Sequence, residues 1–360
     1  MILIQHLEKY RYLYLSAALA LLAGWYFSLP QKLFSTPFAT VLQDADGQLL
    51  SVLIADDEQW RFPESDSVPP RFATAIRYFE DEHFYLHPGV NPFSMARAAW
   101  QNLQAGRVVS GGSTLTMQVI RLARKGRERT FLEKLLEVIM ATRLEARLSK
   151  DDILRLYASH APFGGNIVGL EAAAFRYFGR RPAELSWGEA ALLAVLPNQP
   201  ALIFPGKNQH LLLKKRDRLL KKLQHQGVLD SLTASLAMEE PLPDSFLPLP
   251  GEAPHLLLRM VKEGKKGQRL STTLDYNLQT AVADVLERYQ RQFQGNGVHN
   301  AAALVMETRS GRVRAYLGNT GNSRDHGSQV DVITAPRSTG SILKPFLYAM
   351  ALEKGWTPAT

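Results

Sequence analysis

The first apolar run in the chain is unbroken. Tyr12 to Leu29 reads YLYLSAALALLAGWYFSL without a charged residue, close to the shortest length that crosses a bilayer. Lys9 and Arg11 precede it and Lys32 follows. That basic flank predicts a short tail, residues 1–11, held on the cytoplasmic side, with the bulk of the chain outside. Ala18 and Ala20 form an Ala-x-Ala inside the run, and Trp25-Tyr26-Phe27 stands where a cleavage site would need small residues. The run 12–29 therefore reads as a retained single-pass anchor and not as a cleaved signal.

Beyond it the periodicity changes twice. FATVLQDADGQLLSVLI has Asp46-Gly47 between two apolar runs, the signature of a hairpin, and residues 38–62 are predicted as a β-hairpin pedestal. From Pro69 to about Met238 the apolar spacing is mostly helical. Ser149 is placed as an N-cap, and Ser186-Trp187-Gly188-Glu189 fits a capping box before AALLAVLP, where Pro197 stops the helix. The segment EEPLPDSFLPLPGEAP carries five prolines and predicts a semi-rigid linker over 241–267. After Gln268, LSTTLD, AAALVMETRSGRVRAYLG and DVITAP read as short strands, with a turn at Ser310-Gly311. No internal repeat is visible. The expected class is multidomain α+β: the anchor, a mostly helical domain over 63–240, and a second domain from 268 to 360.

A length of 360 residues fits two folded units. There is no cysteine, which excludes disulfides and thiolate metal sites and suits an extracytoplasmic bacterial protein. The formal net charge of +8 fits nucleic acid, anionic lipid or a diphosphate ligand. No nucleic-acid motif occurs, and the N-terminal run points to lipid. The basic runs RLARKGRER and KKRDRLLKK are read as solvated faces that also suit anionic head groups.

Candidate chemistry lies in two segments. EDEHFYLHPGVNP, from Glu80 to Pro92, opens with adjacent acids after a helical run. A carboxylate near Tyr78, Phe79 and Phe84 can have its proton affinity raised toward working pH, which makes Glu80 the candidate general base. Read alone, the acid pair is more often a solvated helix end, as most Glu-Asp pairs are. GGSTLTMQ, from Gly111 to Gln118, lets backbone approach a ligand while Ser113, Thr114 and Gln118 offer donors to an anion; its bland reading is a helix cap by Ser113. Further on, Lys134 and Glu137 share one helix face, as a surface ion pair would. One acid to move a proton and one donor-rich turn to hold an anion fit group transfer from a phosphorylated donor.

These segments resemble the motifs of the peptidoglycan glycosyltransferases (glycosyltransferase family 51), the polymerase half of class A penicillin-binding proteins. The resemblance rests on Glu80–Pro92, Gly111–Gln118, LSKDDILRLY, FGGNIVGLEAAAFRYFG and RPAELSWGEAALLAVLP in the family's order, covering about residues 70–225. It implies a lysozyme-like helical domain and an inverting transfer that polymerises lipid II into glycan strands with release of undecaprenyl diphosphate. Glu80 matches the catalytic base and Glu137 the second acid of the donor site. Ser113, Thr114, Gln118 and Lys134 match the groove for the donor diphosphate and sugar, with Arg121 keeping a positive charge there. Asp81 belongs to the substrate-side motif, and Phe84 and His87 match groove or scaffold positions. The resemblance further implies a bacterial inner membrane location, with the bulk of the chain in the periplasm. Expected partners are lipid II, the growing strand, membrane lipids and other cell-wall synthesis proteins. No obligatory cofactor and no protein-held metal are implied, although a diphosphate leaves room for a divalent cation such as Mg²⁺.

The chain departs from the common pattern at several positions. Met117-Gln118-Val119-Ile120-Arg121-Leu122 replaces the usual Gln-Gln-Leu-Val-Lys-Asn, which sets the chain apart from the main synthases. Glu133 stands where a basic residue is common, Asn91 replaces an aspartate, and Ala158-Ser159-His160 replaces Leu-Asn-acid. Downstream, RSTGSILKPFLYAMALEKG resembles the acylation motif of penicillin-binding transpeptidases, with Ser341 as nucleophile and Lys344 one helical turn on as its base. The family's Ser-x-Asn and Lys-Thr-Gly elements are not reached by Thr360, so residues 268–360 are expected as the incomplete start of that domain. Two competing readings stand beside the polymerase: a lysozyme-like glycan hydrolase, pairing Glu80 with a second carboxylate that works on water, and a catalytically weak membrane-anchored scaffold.

Overall fold

In the computed structural model all residues are described except 1, 108–110, 126, 128–129, 199–204, 322–323, 337 and 358–360. The basic run RLARKGRER therefore lies partly outside the described residues. The chain divides into two compact units: residues 1–42, 51–251 and 264–270, and residues 43–50, 252–263 and 271–360.

The first unit is helical, as its apolar spacing predicts. Its helices are α1 Ile2–Phe27, α2 Pro70–Glu80, α3 Pro92–Ala105, α4 Leu115–Ala123, α5 Phe131–Glu145, α6 Lys150–His160, α7 Leu170–Phe178, α8 Trp187–Val195, α9 Gln209–His225 and α10 Ser231–Glu239. Their starts are written in the sequence. Ser149 and Ser186 both form full capping boxes, with Asp152 and Glu189 answering from N3. Asn91 caps α3 by accepting from the Ser94 N–H at 3.0 Å, so the neutral residue retains the capping role open to an aspartate.

The core is centred on α8, whose residues from Ala190 to Val195 are all buried. It packs against α2, α9 and α10. Small side chains permit that approach: a Cβ at Gly188 would come 2.7 Å from the Ala237 carbonyl oxygen. Arg216, 1% exposed, donates to the Met238 and Glu240 carbonyls at 2.6 Å each. It thereby satisfies acceptors that the end of α10 would otherwise leave bare. A small sheet of β3 (Trp60–Arg61), β5 (Ile167–Val168) and β4 (Pro162–Gly164) runs in that order, parallel between β3 and β5 and antiparallel between β5 and β4.

The expected anchor is helical, but among the described residues no helix is long and apolar enough to cross a membrane. The helix stops at Phe27, where the Ser28 hydroxyl donates back to the Trp25 carbonyl at 2.7 Å. Its charge-free part, Tyr12–Phe27, spans about 24 Å at the usual rise, short of the roughly 30 Å of a hydrocarbon core. The end of α1 is fastened to α5: Trp25 Nε1 donates to Thr142 Oγ1 at 3.0 Å, and the Arg143 guanidinium lies 4.6 Å from the centre of the Tyr26 ring.

The predicted hairpin is present as β1 (Thr40–Gln43) and β2 (Leu49–Leu53). Its turn is organised by Asp44, whose Oδ1 accepts from the Asp46 and Gln48 N–H groups at 2.9 and 2.8 Å, with Gly47 at φ +78°. The proline-rich segment, expected as a semi-rigid linker, lies in its first part against the first unit's own side chains. Phe246 packs on Tyr177 with ring centroids 5.4 Å apart, and the Leu247 N–H donates to the Arg176 carbonyl at 2.7 Å, so its first part is a strap on the first unit. The expected span 241–267 also contains a helix, α11 Pro254–Lys262, because Pro254 suits a first turn and Leu256 and Leu257 bury.

The second unit holds α11, α12 (Tyr276–Phe293), α13 (Lys344–Glu353) and the antiparallel pair β7 (Ala303–Met306) and β8 (Val313–Leu317), while β6 (Arg269–Ser271) straddles the division. Buried Gln279 on α12 serves β8 as a strand edge would. It accepts from the Tyr316 N–H at 2.8 Å and donates to the Tyr316 carbonyl at 3.0 Å. DVITAP is not a strand. Asp331 takes the Ile333 N–H at 3.2 Å and the Tyr316 hydroxyl at 2.6 Å, and those bonds favour a turn.

Candidate active site

Glu80 is the last residue of α2. Its Oε2 accepts from Gln118 Nε2 at 2.7 Å, while its Oε1 is buried without a partner. Burial raises its proton affinity above the ordinary carboxylate value, and neighbouring Asp81 adds to that. The bond from Gln118 and the charges of Lys215 and Arg121 oppose the rise. The result is the environment that a general base at neutral pH requires.

The two motifs are locked together by Asp81. Its carboxylate lies 3.0 and 3.1 Å from His87 Nε2 and accepts from the Leu115 N–H at 3.0 Å. A buried acid thus holds the first turn of α4, where free N–H groups need an acceptor. Thr114 adds a second tie: its hydroxyl donates to the Gly89 carbonyl at 2.6 Å while accepting from the Met117 N–H at 3.2 Å. Thr114, not Ser113, is therefore the cap of α4. Phe84 is fully buried and lies under the Lys150 ammonium at 4.5 Å. Lys150 itself binds the His87 carbonyl and Glu145, each at 2.7 Å. Phe84, His87 and Thr114 thus serve the scaffold; Asp81 borders the cavity, but its carboxylate is already engaged.

Ser113 is left free to face the ligand side. Its hydroxyl oxygen accepts from Lys134 Nζ at 2.6 Å and from Arg121 Nη2 at 3.2 Å. Glu137, 4% exposed, takes Arg121 in a two-point fork at 2.8 and 2.9 Å and lies 3.6 Å from Lys134 Nζ. Fork geometry fixes the guanidinium plane, which a lysine could not do. Glu133 forks with Arg124, so the acid at the family's basic position is neutralised within its own neighbourhood. Gln118 and Arg121 are three residues apart on α4, hence on one face. The base and the cation cluster are thereby held by one helix.

A cavity of about 220 Å³ has both Glu80 and Ser113 in its wall. It is lined by Glu80, Asp81, Gly111, Gly112, Ser113 and Thr114 on one side, and by Asn91, Ser94 and Arg97 of α3 on another, with Glu82 and Lys222 also at its wall. Lys222 pairs with Glu82 at 2.8 Å and donates to the Tyr78 carbonyl at 2.7 Å. Gly112 meets α3 closely: a Cβ there would stand 2.7 Å from Met95 Cα. Among the described residues no group of three or more histidines and carboxylates is arranged to hold a metal ion.

Sequence reasoning missed Lys215, whose charge acts on Glu80, and Tyr157. Lys215 sits in a run read as solvated, but Leu212, Arg216, Leu219 and Leu223 bury one face of α9, and Lys215 borders that face by spacing. In the second unit, Ser341 lies in a turn ahead of α13, with the Lys344 N–H donating to its carbonyl at 3.0 Å. The pair does not share a helix, as its spacing had implied, because α13 begins only at Lys344. Pro345 stands in the first turn of that helix, and Gly355, at φ +84°, follows its end.

Residues 46–224 match the transglycosylase family. The chain is 39% identical over 328 residues to penicillin-binding protein 1C of Escherichia coli K12, covering 91% of this chain and 42% of that protein. It is 30% identical over 328 residues to penicillin-binding protein 1B of the same organism, covering 86% and 39%. Among solved structures, penicillin-binding protein 1A from Haemophilus influenzae is 16% identical, covering 85% of this chain and 36% of that one, with a TM-score of 0.33. The chain belongs to the class A penicillin-binding proteins, by its transglycosylase domain. The identity to protein 1C accords with the Met117-Gln118 and Arg121-Leu122 pattern that sets the chain apart from the main synthases. The chain spans 42% and 39% of the lengths of these two relatives.

Proposed function

We propose that the first unit is a peptidoglycan glycosyltransferase that polymerises lipid II. The observation that carries this reading is the cavity shared by Glu80 and Ser113, with Ser113 bound to two cations. Glu80 takes the proton from the acceptor sugar hydroxyl. The oxygen so activated forms a bond to the anomeric carbon of the donor from the face opposite its diphosphate, the carbon–oxygen bond to the diphosphate breaks, and the anomeric centre inverts. Negative charge grows on the leaving diphosphate, where Lys134, Arg121 and the Ser113 hydroxyl stabilise it. Glu137 is then the counter-ion that aims both cations, a positioning role. That engagement weighs against the hydrolase reading, whose second carboxylate must be free to work on water. The same cluster supplies positive charge for the diphosphate and leaves room for a divalent cation such as Mg²⁺ beside it.

The reading includes a bacterial inner membrane location, with α1 as single-pass anchor and the remainder in the periplasm. Orientation rests on the basic Lys9 and Arg11 ahead of the apolar run, while Trp25 and Tyr26 suit an interface at its other end, where Arg143 and Arg147 bind the Tyr26 and Pro30 carbonyls. The second unit is read as the beginning of a transpeptidase domain, with Ser341 and Lys344 as its nucleophile and base. Polymerisation of fluorescent lipid II by the purified chain tests the main reading. Formation of long glycan strands supports it; release of reducing ends from preformed glycan with no polymer would replace it with the hydrolase.

A further inference from the structure

Tyr157 on α6 is 1% exposed, and its hydroxyl has no hydrogen-bond partner. A buried phenol normally finds one, so each exception needs a reason. Among the described residues Glu80 Oε1 is another such buried orphan. The two atoms are complementary: a phenol donates, and a carboxylate oxygen accepts. They also share a neighbourhood. Helix α6 packs on α4, and α4 presents Gln118 to the other oxygen of Glu80. The negative charge of Glu80 acts on the Tyr157 phenol, which burial already holds well above its ordinary range. The phenol therefore keeps its proton at every working pH and remains a donor.

We propose that Tyr157 is a positioning residue for Glu80, donating its hydroxyl proton to the carboxylate as the site engages substrate. The torsion that swings a carboxylate is soft, so rotation of Glu80 as substrate enters is the movement that would turn its free oxygen toward the phenol. Gln118 and Tyr157 would then grip the base from two sides, leaving a fixed lone pair toward the acceptor hydroxyl. The inference rests on Glu80 being the base. Other charges facing Glu80 are Lys215 from α9, Arg121 from α4 and Asp81 beside it. On α8, which packs on α2, the single charged residue is Glu189, 3.5 Å from Arg180.

The test is Tyr157→Phe in the full chain, read by the pH profile of fluorescent lipid II polymerisation and by thermal melting. A donated hydrogen bond favours the ionised carboxylate, so its loss raises the proton affinity of Glu80. The acid limb of the profile should move up by about one pH unit. Because the hydroxyl has no partner in the resting protein, the melting temperature should stay level or rise. An acid limb that coincides with the parent's overturns the proposal. So does a lowered melting temperature, which would assign the hydroxyl to the fold. Glu80→Gln, run alongside, separates the two failures: near-parent activity there would remove the base itself, whereas its inactivity with an unmoved Tyr157→Phe profile would remove Tyr157 alone.

Discussion

Replacing Glu80 by glutamine changes one atom and separates chemistry from folding. The amide keeps an oxygen that can accept from Gln118 Nε2, so the 2.7 Å contact survives. What is lost is the capacity to take a proton. General-base removal slows a reaction by about 10²- to 10⁴-fold, or about 3–5 kcal/mol of barrier. Stability should move the other way. Burial holds the folded-state pKa of Glu80 above its ordinary 4.5. A carboxyl raised in this way favours the fold fully below its unfolded value, and that favour is lost as pH rises through the folded value. At neutral pH the parent therefore carries a desolvated charge that glutamine lacks. Glu80→Gln should melt above the parent at pH 7, with the difference vanishing near about pH 4. Strand synthesis from fluorescent lipid II within tenfold of the parent, by a variant that melts as predicted, would refute the assignment of Glu80 as base.

Removing the Arg121 guanidinium, as in Arg121→Ala, should cut polymerisation about 10²-fold by exposing the leaving diphosphate to less charge; Arg121→Lys should recover only part, since the fork to Glu137 is lost, and equal rates for all three would discard the cluster. Lys134→Ala should behave like Arg121→Ala in the same assay, and normal donor use by both would show that the diphosphate binds elsewhere. Asp81→Asn should lower stability by about 1.5–3 kcal/mol, because a charged acceptor for the Leu115 N–H is weakened, and a urea midpoint equal to the parent's would count against that hold. Gly112→Ala should lose activity with little loss of fold, because the Cβ at 2.7 Å from Met95 Cα must push the turn away from α3; retained activity would show that the turn has slack.

Much of this site was legible because its parts are local. Ser186 and Glu189 announce α8, Asp44 to Gly47 announces a turn, and Glu80 and Gln118 announce themselves by the residues around them. The misreadings share a different cause. Thr114 caps α4 where Ser113 was the nearer guess, since both hydroxyls are acceptable caps and only the position of Gly89 decides between them. Lys215 looked solvated because its neighbours are charged, yet the packing of α9 against α8 and α2 brings its charge to bear on Glu80. The strand expected over 331–336 had the right composition, but Asp331 found side-chain partners in Tyr316 and Ile333. Each of these depends on a contact between distant segments, which hydrophobic spacing does not encode.

The arrangement explains how a variant motif can keep its chemistry. The usual lysine of the family is Arg121 here, and a guanidinium left loose would be a poorer point charge than an ammonium. The structure constrains it on two edges, by the Glu137 fork and by Ser113 Oγ. Lys134 then supplies the compact charge on the same hydroxyl. On the proposed reading the labour divides: Arg121, gripped at two points by Glu137, sets where the diphosphate lies, and Lys134 adds a second charge beside it. If so, exchanging the two, with Arg121→Lys and Lys134→Arg in one chain, should not restore the parent rate although charge and residue types are conserved. A double variant that polymerises like the parent would show that only the summed charge matters, and that the fork to Glu137 has no bearing on the transfer.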